Sequence, residues 1–239
     1  MMDYKEKLTK GSKELGIDLN QSQVEQFLNY MQVLRKWNKK INLTALDKPE
    51  EIIVKHFLDS LSCVKGINLV GKEKVIDVGT GAGFPSLPLK IIYPDLALTL
   101  LDASKKRVSF LQRVCYKLGL SKVEFIHGRA EDYGQNDDYR ERYDYAVARA
   151  VASLNVLSEY VVPFVKKEGQ FIAQKGPEVE QEVINGEQAI KLLGGKVLKV
   201  KEITLPFSEA ERRLAIIDKV SSTPVEYPRQ AGQPKKKPL

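Results

Sequence analysis

Cysteine and histidine are nearly missing from this sequence of 239 residues, which holds two of each. Cys63 and Cys115 lie far apart with no Cys-x-x-Cys. That spacing excludes a disulfide scaffold, a zinc ribbon or a thioredoxin-like centre, and fits a reducing, cytoplasmic setting. Both read as buried helical residues. His56 and His127 are too few and too separated for a zinc site, so no metal is expected. No apolar run approaches the roughly 20 residues of a membrane helix, and the start, Met1 to Lys7, lacks the apolar centre of a signal peptide. No membrane association is expected. Internal repeats are missing, and no Ser-His-Asp arrangement stands out.

What is present is an ordinary apolar fraction, 43%, and an excess of positive charge, with 38 Lys and Arg against 31 Asp and Glu, or +7. The excess favours a polyanionic partner without requiring one. The length suits one core domain with an elaboration. Residues 1–70 read as a helical extension. Ser22-Gln23-Val24-Glu25 has the form of a capping box, followed by an apolar stripe at steps of three or four: Val24, Phe27, Leu28, Met31, Leu34 and Trp37. A second helix is expected from Asp47 and Pro49 to a stop at Gly66.

Beyond residue 73 the pattern changes to short apolar runs, 74–78, 97–101, 123–127, 143–148 and 170–174, separated by helical stretches at 104–118, 154–162 and 178–193. Alternation of this kind predicts βαβ units and a parallel sheet. Two β-prone runs, 196–205 and 212–220, predict a closing antiparallel pair. The expected fold is therefore α/β: a doubly wound, mostly parallel, seven-stranded Rossmann-like sheet over 71–220. Residues 221–239 hold four of the eleven prolines and a charge of +3, which predicts an extended tail rather than a packed element.

The strongest signal is Asp77-Val78-Gly79-Thr80-Gly81-Ala82-Gly83-Phe84-Pro85, at the join of the first strand and its helix. Doubly wound sheets bind ligands at such strand ends, and Gly79, Gly81 and Gly83 let the backbone approach one closely. The dinucleotide pattern G-x-G-x-x-G fails at Phe84. Asp77 would repel a pyrophosphate and attract a cation, so the sulfonium and ammonium of S-adenosylmethionine suit the loop better than a nicotinamide dinucleotide does. Asp102, ending the second strand about 20 residues on, is placed to bond ribose hydroxyls, and equally to cap the helix after it. The loop after the third strand, with Ala130 and Glu131, would flank an adenine, or simply start a helical turn. Arg149 leaves the fourth strand where it can pair with the ligand's carboxylate, with RNA or with a neighbouring acid.

Missing motifs narrow the reaction. Methylation of an exocyclic amine commonly uses an (Asn/Asp)-Pro-Pro-(Tyr/Phe) turn after the fourth strand, where this sequence has Arg149-Ala150-Val151-Ala152. Methylation at pyrimidine C5 needs a cysteine nucleophile beyond that strand, and both cysteines come earlier. Guanine N7 needs no deprotonation, and the sequence is compatible with that chemistry.

Several segments resemble the small subunit methyltransferase G family of bacterial 16S ribosomal RNA guanine-N7 methyltransferases, also known as the glucose-inhibited division protein B family. They are residues 37–44 (Trp-Asn-Lys-Lys-Ile-Asn-Leu-Thr), 56–61 (His-Phe-Leu-Asp-Ser-Leu), the glycine loop, Leu101-Asp102-Ala103, 148–154 (Ala-Arg-Ala-Val-Ala-Ser-Leu), Lys175-Gly176 and Tyr227-Pro228-Arg229. The resemblance runs nearly end to end. It implies methyl transfer from S-adenosylmethionine to N7 of guanosine 527 in the 530 loop, with cofactor contacts at Gly79, Phe84, Ala130, Glu131 and Arg149. The partner implied is 16S rRNA or the small ribosomal subunit, and a monomer is expected. One departure is Ser86, where many members have glycine. From the residues themselves, Asp77 and Asp102 are expected to hold the cofactor. Arg35, Lys36, Lys39, Lys40, Arg149, Lys175, Arg229, Lys235, Lys236 and Lys237 are expected to guide phosphates, each with a solvated surface as the plain alternative. A methyltransferase acting on another RNA, a small molecule or a protein, and a non-catalytic RNA-binding module, stay open at this point.

Overall fold

The computed structural model describes residues 3–239. Two helices come first, α1 (Tyr4–Glu14) and α2 (Gln21–Ile41). The cap of α2 is Asn20, not Ser22. Asn20 Oδ1 accepts from Gln23 N at 2.9 Å while Gln23 Oε1 accepts from Asn20 N at 3.0 Å, a reciprocal capping box two residues before the one the sequence suggested. Asn supplies the same acceptor as Ser, and an Asn–Gln pair closes the box as a Ser–Glu pair would. Phe27 and Leu34 of the α2 stripe are fully buried, as is Tyr30 outside it, and each of the two stripe residues contributes about 1.5–3 kcal/mol through lost water contact.

The second expected helix is a continuous run in four conformations: α3 (Pro49–Ile52), a π-helical segment (Ile53–Leu58), α4 (Asp59–Leu61) and a 3₁₀ turn (Ser62–Lys65) ending at Gly66. Widened turns of this kind recur at functional sites, because they rotate the side chains that follow. Here the segment sets the positions of Lys55, His56 and Asp59.

The sheet then alternates β1 (Lys74–Val78), α5 (Ser86–Ile92), β2 (Ala97–Asp102), α6 (Lys105–Leu118), β3 (Val123–His127), α7 (Ala130–Gly134), β4 (Tyr143–Arg149), α8 (Leu154–Val161), β5 (Val165–Lys175), α9 (Val179–Leu192), β6 (Gly195–Thr204) and β7 (Glu211–Lys219). A short α10 (Gln233–Lys236) follows. The strand order is 3-2-1-4-5-7-6, with β7 antiparallel between β5 and β6 and the other pairings parallel. The order reverses between β1 and β4, and the crevice outside the carboxyl ends there is where open α/β sheets bind ligands. Apolar residues of α1, α2 and the π segment share one core with β1, β2 and α6, so the helical extension is fused to one face of the sheet.

The tail departs from expectation. Residues 223–228 are held by side chains of the segment between α7 and β4. Arg140 donates to the carbonyls of Thr223 (2.7 Å), Pro224 (3.0 Å) and Tyr227 (2.6 Å), and Gln135 Nε2 to that of Pro228 (2.8 Å). The tail packs because its backbone carbonyls find donors, and composition carries no trace of that.

Candidate functional site

At the switch point the glycine loop folds back onto the sheet. Gly79 and Thr80 donate their amides to Leu101 O at 2.9 and 3.2 Å, and Gly81 N reaches Asp102 Oδ2 at 2.9 Å. Gly79 has φ +72°, and a Cβ there would lie 2.9 Å from Val151 Cγ2. Glycine is needed there on both counts. Asp77 is wholly buried behind the loop, its Oδ2 accepting from Thr80 Oγ1 at 2.8 Å and from the Ser86 hydroxyl, while Oδ1 has no hydrogen-bond partner among the described residues. Burial pushes its carboxyl up to about 7 against the opposing hydrogen bonds from Ser86 and Thr80. The serine that departs from the family pattern is thus one of two hydroxyls fixing this carboxylate.

In front of the loop lies a crevice of about 120 Å³ at the ends of β1, β2 and β3. Of the residues expected to hold a cofactor, Gly79, Asp102, Ala130 and Glu131 line it. Asp102 Oδ1 accepts from Ser104 N at 2.8 Å, a turn bond before α6 and not a helix cap: the N-cap position is Ser104, and Asp102 keeps its place in the crevice. Asp77, Gly81, Gly83 and Phe84 do not line it. They shape the loop from behind: a Cβ on Gly83 would meet Leu87 and the Tyr30 hydroxyl, and that hydroxyl donates to Ala82 O. Phe84 is buried in a stack between His56 (centroids 4.4 Å apart, 14°) and Tyr30 (5.4 Å, 20°). The sequence reading missed Val151 and Tyr160, which also line the crevice.

Arg149 belongs to a second opening, a cleft of about 480 Å³ on the β4–β5–β7 side. Its guanidinium lies over the Phe84 ring at 4.9 Å and donates to Asp59 Oδ2 at 2.9 Å and Lys55 O at 3.2 Å. It also meets His56 Nδ1 at 3.1 Å, while His56 Nε2 meets Thr44 Oγ1 at 2.8 Å. Burial, then the charge of Arg149, pulls the imidazole down to about 3, so His56 is neutral at ordinary pH. Arg212 Nε donates to the other Asp59 oxygen at 2.9 Å, and Gln174 Nε2 to the Asp59 carbonyl at 2.6 Å. Burial raises the Asp59 carboxyl and the two guanidiniums pull against it. The sequence reading gave Asp59, Gln174 and Arg212 no role. The available signal was an acid set inside the apolar run from Ile52 to Leu61.

The residues expected to guide phosphates divide. Lys36, Lys39, Lys40, Lys235, Lys236 and Lys237 are exposed. Arg35 is half exposed and donates to Asp47 O at 2.9 Å. Lys175 and Arg229 are corrected: both cations are already bound within the fold. Lys175 Nζ donates to Ala152 O and Glu182 Oε2, each at 2.6 Å. Arg229 forms a two-pronged pair with buried Glu159, Nε at 2.9 Å and Nη2 at 2.6 Å. Among the described residues no cluster of three His, Cys, Asp or Glu could hold a metal ion, and no helix is long and apolar enough to cross a membrane.

Residues 23–214 match the family model described as GidB, rRNA small subunit methyltransferase G. The chain is similar to curated proteins called ribosomal RNA small subunit methyltransferase G. The one from Alkaliphilus metalliredigens is 55% identical over 238 residues, all of both chains. That from a Thermoanaerobacter species is 53% identical over 98% of both. Among solved structures, the chain resembles a variant of the 16S rRNA (adenine(1408)-N(1))-methyltransferase of Catenulisporales acidiphilia. The TM-score is 0.53 at 13% identity, covering 64% of this chain and 88% of that one. YcgJ of Bacillus subtilis gives 0.52 at 14%, covering 70% and 100%. At such identities the likeness shows the fold, a Rossmann-like methyltransferase architecture.

Proposed function

Because the chain belongs to the ribosomal RNA small subunit methyltransferase G family, we propose that it transfers the methyl group of S-adenosylmethionine to N7 of a guanosine in 16S rRNA, guanosine 527 of the 530 loop. The residues at the switch point fit that cofactor. Gly79 at φ +72° lets the loop turn tightly against Val151 at the mouth of the crevice, Asp102 lines the same crevice at the end of β2, and Asp77 Oδ1 is a buried acceptor with no partner among the described residues. Gly79, Asp102, Ala130 and Glu131 lining one crevice at the switch point is the observation that carries the reading. The bound cofactor supplies an electrophilic methyl group on a sulfonium.

The protein's own part is positioning. Gly79, Ala130 and Glu131 bound the nucleoside crevice, and Asp102 would hold the ribose of the cofactor by accepting from its hydroxyls. Asp77, locked by Thr80 and Ser86, places negative charge behind the loop. Guanine N7 carries a free lone pair at neutral pH, so transfer needs the lone pair and the methyl carbon in line and no general base. A cleft whose histidine is held neutral at about 3 suits such a reaction. Of the ten cations expected to guide phosphates, Lys36, Lys39, Lys40, Lys235, Lys236 and Lys237 are exposed and in no ion pair among the described residues. Mass-spectrometric mapping of 16S rRNA from cells with and without the protein tests the assignment. Loss of 7-methylguanosine at position 527 alone is expected, and an unchanged map refutes it.

Cofactor binding is expected to depend on pH through Asp77. Its folded pKa of about 7 lies above the unfolded carboxylate value. Its contribution to the stability of the free protein therefore declines as pH rises from about 4 to about 7. A cationic ligand favours the ionised form, so binding should expel a proton below about pH 7. Affinity then rises from roughly pH 6 to 8 and levels off above. Calorimetry in buffers of different ionisation enthalpy measures the proton, and Asp77→Asn should remove the slope. A flat wild-type profile would show that Asp77 does not sense the ligand.

A further inference from the structure

We propose that the cleft beside Arg149 holds the target guanine during transfer and that Gln174 reads its 2-amino edge; this deepens, and rests on, the functional reading above. Three observations carry it. The first is chemical. Gln174 is 3% exposed and lines the cleft, and its Nε2 is committed to the Asp59 carbonyl at 2.6 Å. That bond fixes which end of the amide is which, and leaves Oε1 a buried acceptor without a partner among the described residues. A buried acceptor left unpaired is costly, and a site built this way selects a ligand that brings a donor. Guanine offers N1–H and the 2-amino group along one edge. Adenine presents the bare N1 acceptor in the matching place.

The second observation is geometric. Gln174 on β5 is in register with Arg149 on β4, and β1 with its glycine loop is the next strand beyond β4. Two strand spacings put about 10 Å between Gln174 and the loop. A purine with one hydrogen bond at its amino edge covers that gap and turns N7 toward the cofactor side. Ala150 lines this cleft and the next residue, Val151, lines the nucleoside crevice, so the two openings flank the same stretch of chain.

The third is electrostatic. Lys55, Arg149, Lys175 and Arg212 face the cleft against Asp59 and Glu182, a net positive lining. Such a net charge suits the O6 atom of guanine and the phosphate of an extruded nucleotide, with N7 left to the cofactor side.

The test uses small ribosomal subunits reconstituted with 16S rRNA carrying guanosine or inosine at the methylated position. Inosine lacks only the 2-amino group and keeps N7. Wild-type protein should have a kcat/KM about tenfold lower on inosine. Gln174→Met, and Gln174→Asn, which draws the amide back by one methylene, should bring the two RNAs within twofold while still binding S-adenosylmethionine. Two variants guard against one failing to fold, and thermal melting reports on each. Equal wild-type rates on the two RNAs overturn the inference, as does a folded variant that keeps the wild-type ratio. No methylation of either RNA by wild-type protein would instead count against the functional reading itself.

Discussion

Asp59→Ala is expected to destabilise the protein by about 3–5 kcal/mol, since it strips the shared partner from two partly buried guanidiniums. Asp59 Oδ2 holds Arg149 and Oδ1 holds Arg212, both at 2.9 Å, and the carboxylate is almost wholly out of water. Burial works against the charge and the arginines sustain it, so the three groups stand or fall together. Without the carboxylate, Arg149 and Arg212 repel each other across the cleft, and Arg149 loses the contact that fixes it above Phe84. Displacement of about 1 Å at a site that works by alignment can cost about 10²-fold in rate, so methylation should fall by that order. Cofactor affinity should change far less, because Asp59 does not line the nucleoside crevice. Urea unfolding and single-turnover methylation measure the two effects. A stability loss below about 1 kcal/mol would mean that solvent already screens the pair.

The same cluster shows what a one-dimensional reading can and cannot reach. Asp59 and Arg149 are 90 residues apart, Asp59 and Arg212 153 apart, and nothing in a local window links them. The glycine loop was legible because its constraint is local: a backbone at φ +72° with Val151 against it accepts glycine and little else. Strands were legible where a short β-prone run ends at a glycine, as in β1 and β3, whose bounds match the expected runs. By contrast β5 begins at Val165, five residues before its apolar run. Pairing of Val165 with Tyr143, across an irregularity in the ladder, carries a charged stretch into the sheet. Tertiary pairing overrides propensity there. The cap of α2 fell within two residues because Asn, Ser, Gln and Glu offer interchangeable acceptors. The Pro-rich, basic tail misled in a different way. Its composition resembles that of solvated segments, but its order comes from donors more than 80 residues upstream.

That tail gives the second large effect. Arg229→Ala is expected to cost about 3–5 kcal/mol, because Glu159 would lose its counterion in the interior. Glu159 is 1% exposed, and Arg229 supplies all three of its hydrogen bonds: the backbone amide at 2.8 Å, Nε at 2.9 Å and Nη2 at 2.6 Å. Only the amide survives the substitution. Replacing both partners, with Arg229→Met and Glu159→Leu, should recover most of the loss, since the buried charge goes with its partner. The damage should reach the cofactor crevice as well. Three residues further on, Gly232 N donates to Glu131 Oε1 at 2.8 Å, and Glu131 lines that crevice beside Tyr160, the neighbour of Glu159 on α8. Loosening the tail frees Glu131, and S-adenosylmethionine affinity should drop about tenfold, the worth of one buried hydrogen bond. The salt dependence of RNA binding separates this role from the phosphate contact that the sequence suggested. Arg229→Ala should leave the slope of log affinity against log salt unchanged, because the guanidinium is already spent on Glu159. Changing Lys235, Lys236 and Lys237 together to Ala should lower it by up to about 2, those ammonium groups being free in solvent. A reduced slope for Arg229→Ala with undisturbed cofactor affinity would return the residue to the RNA interface.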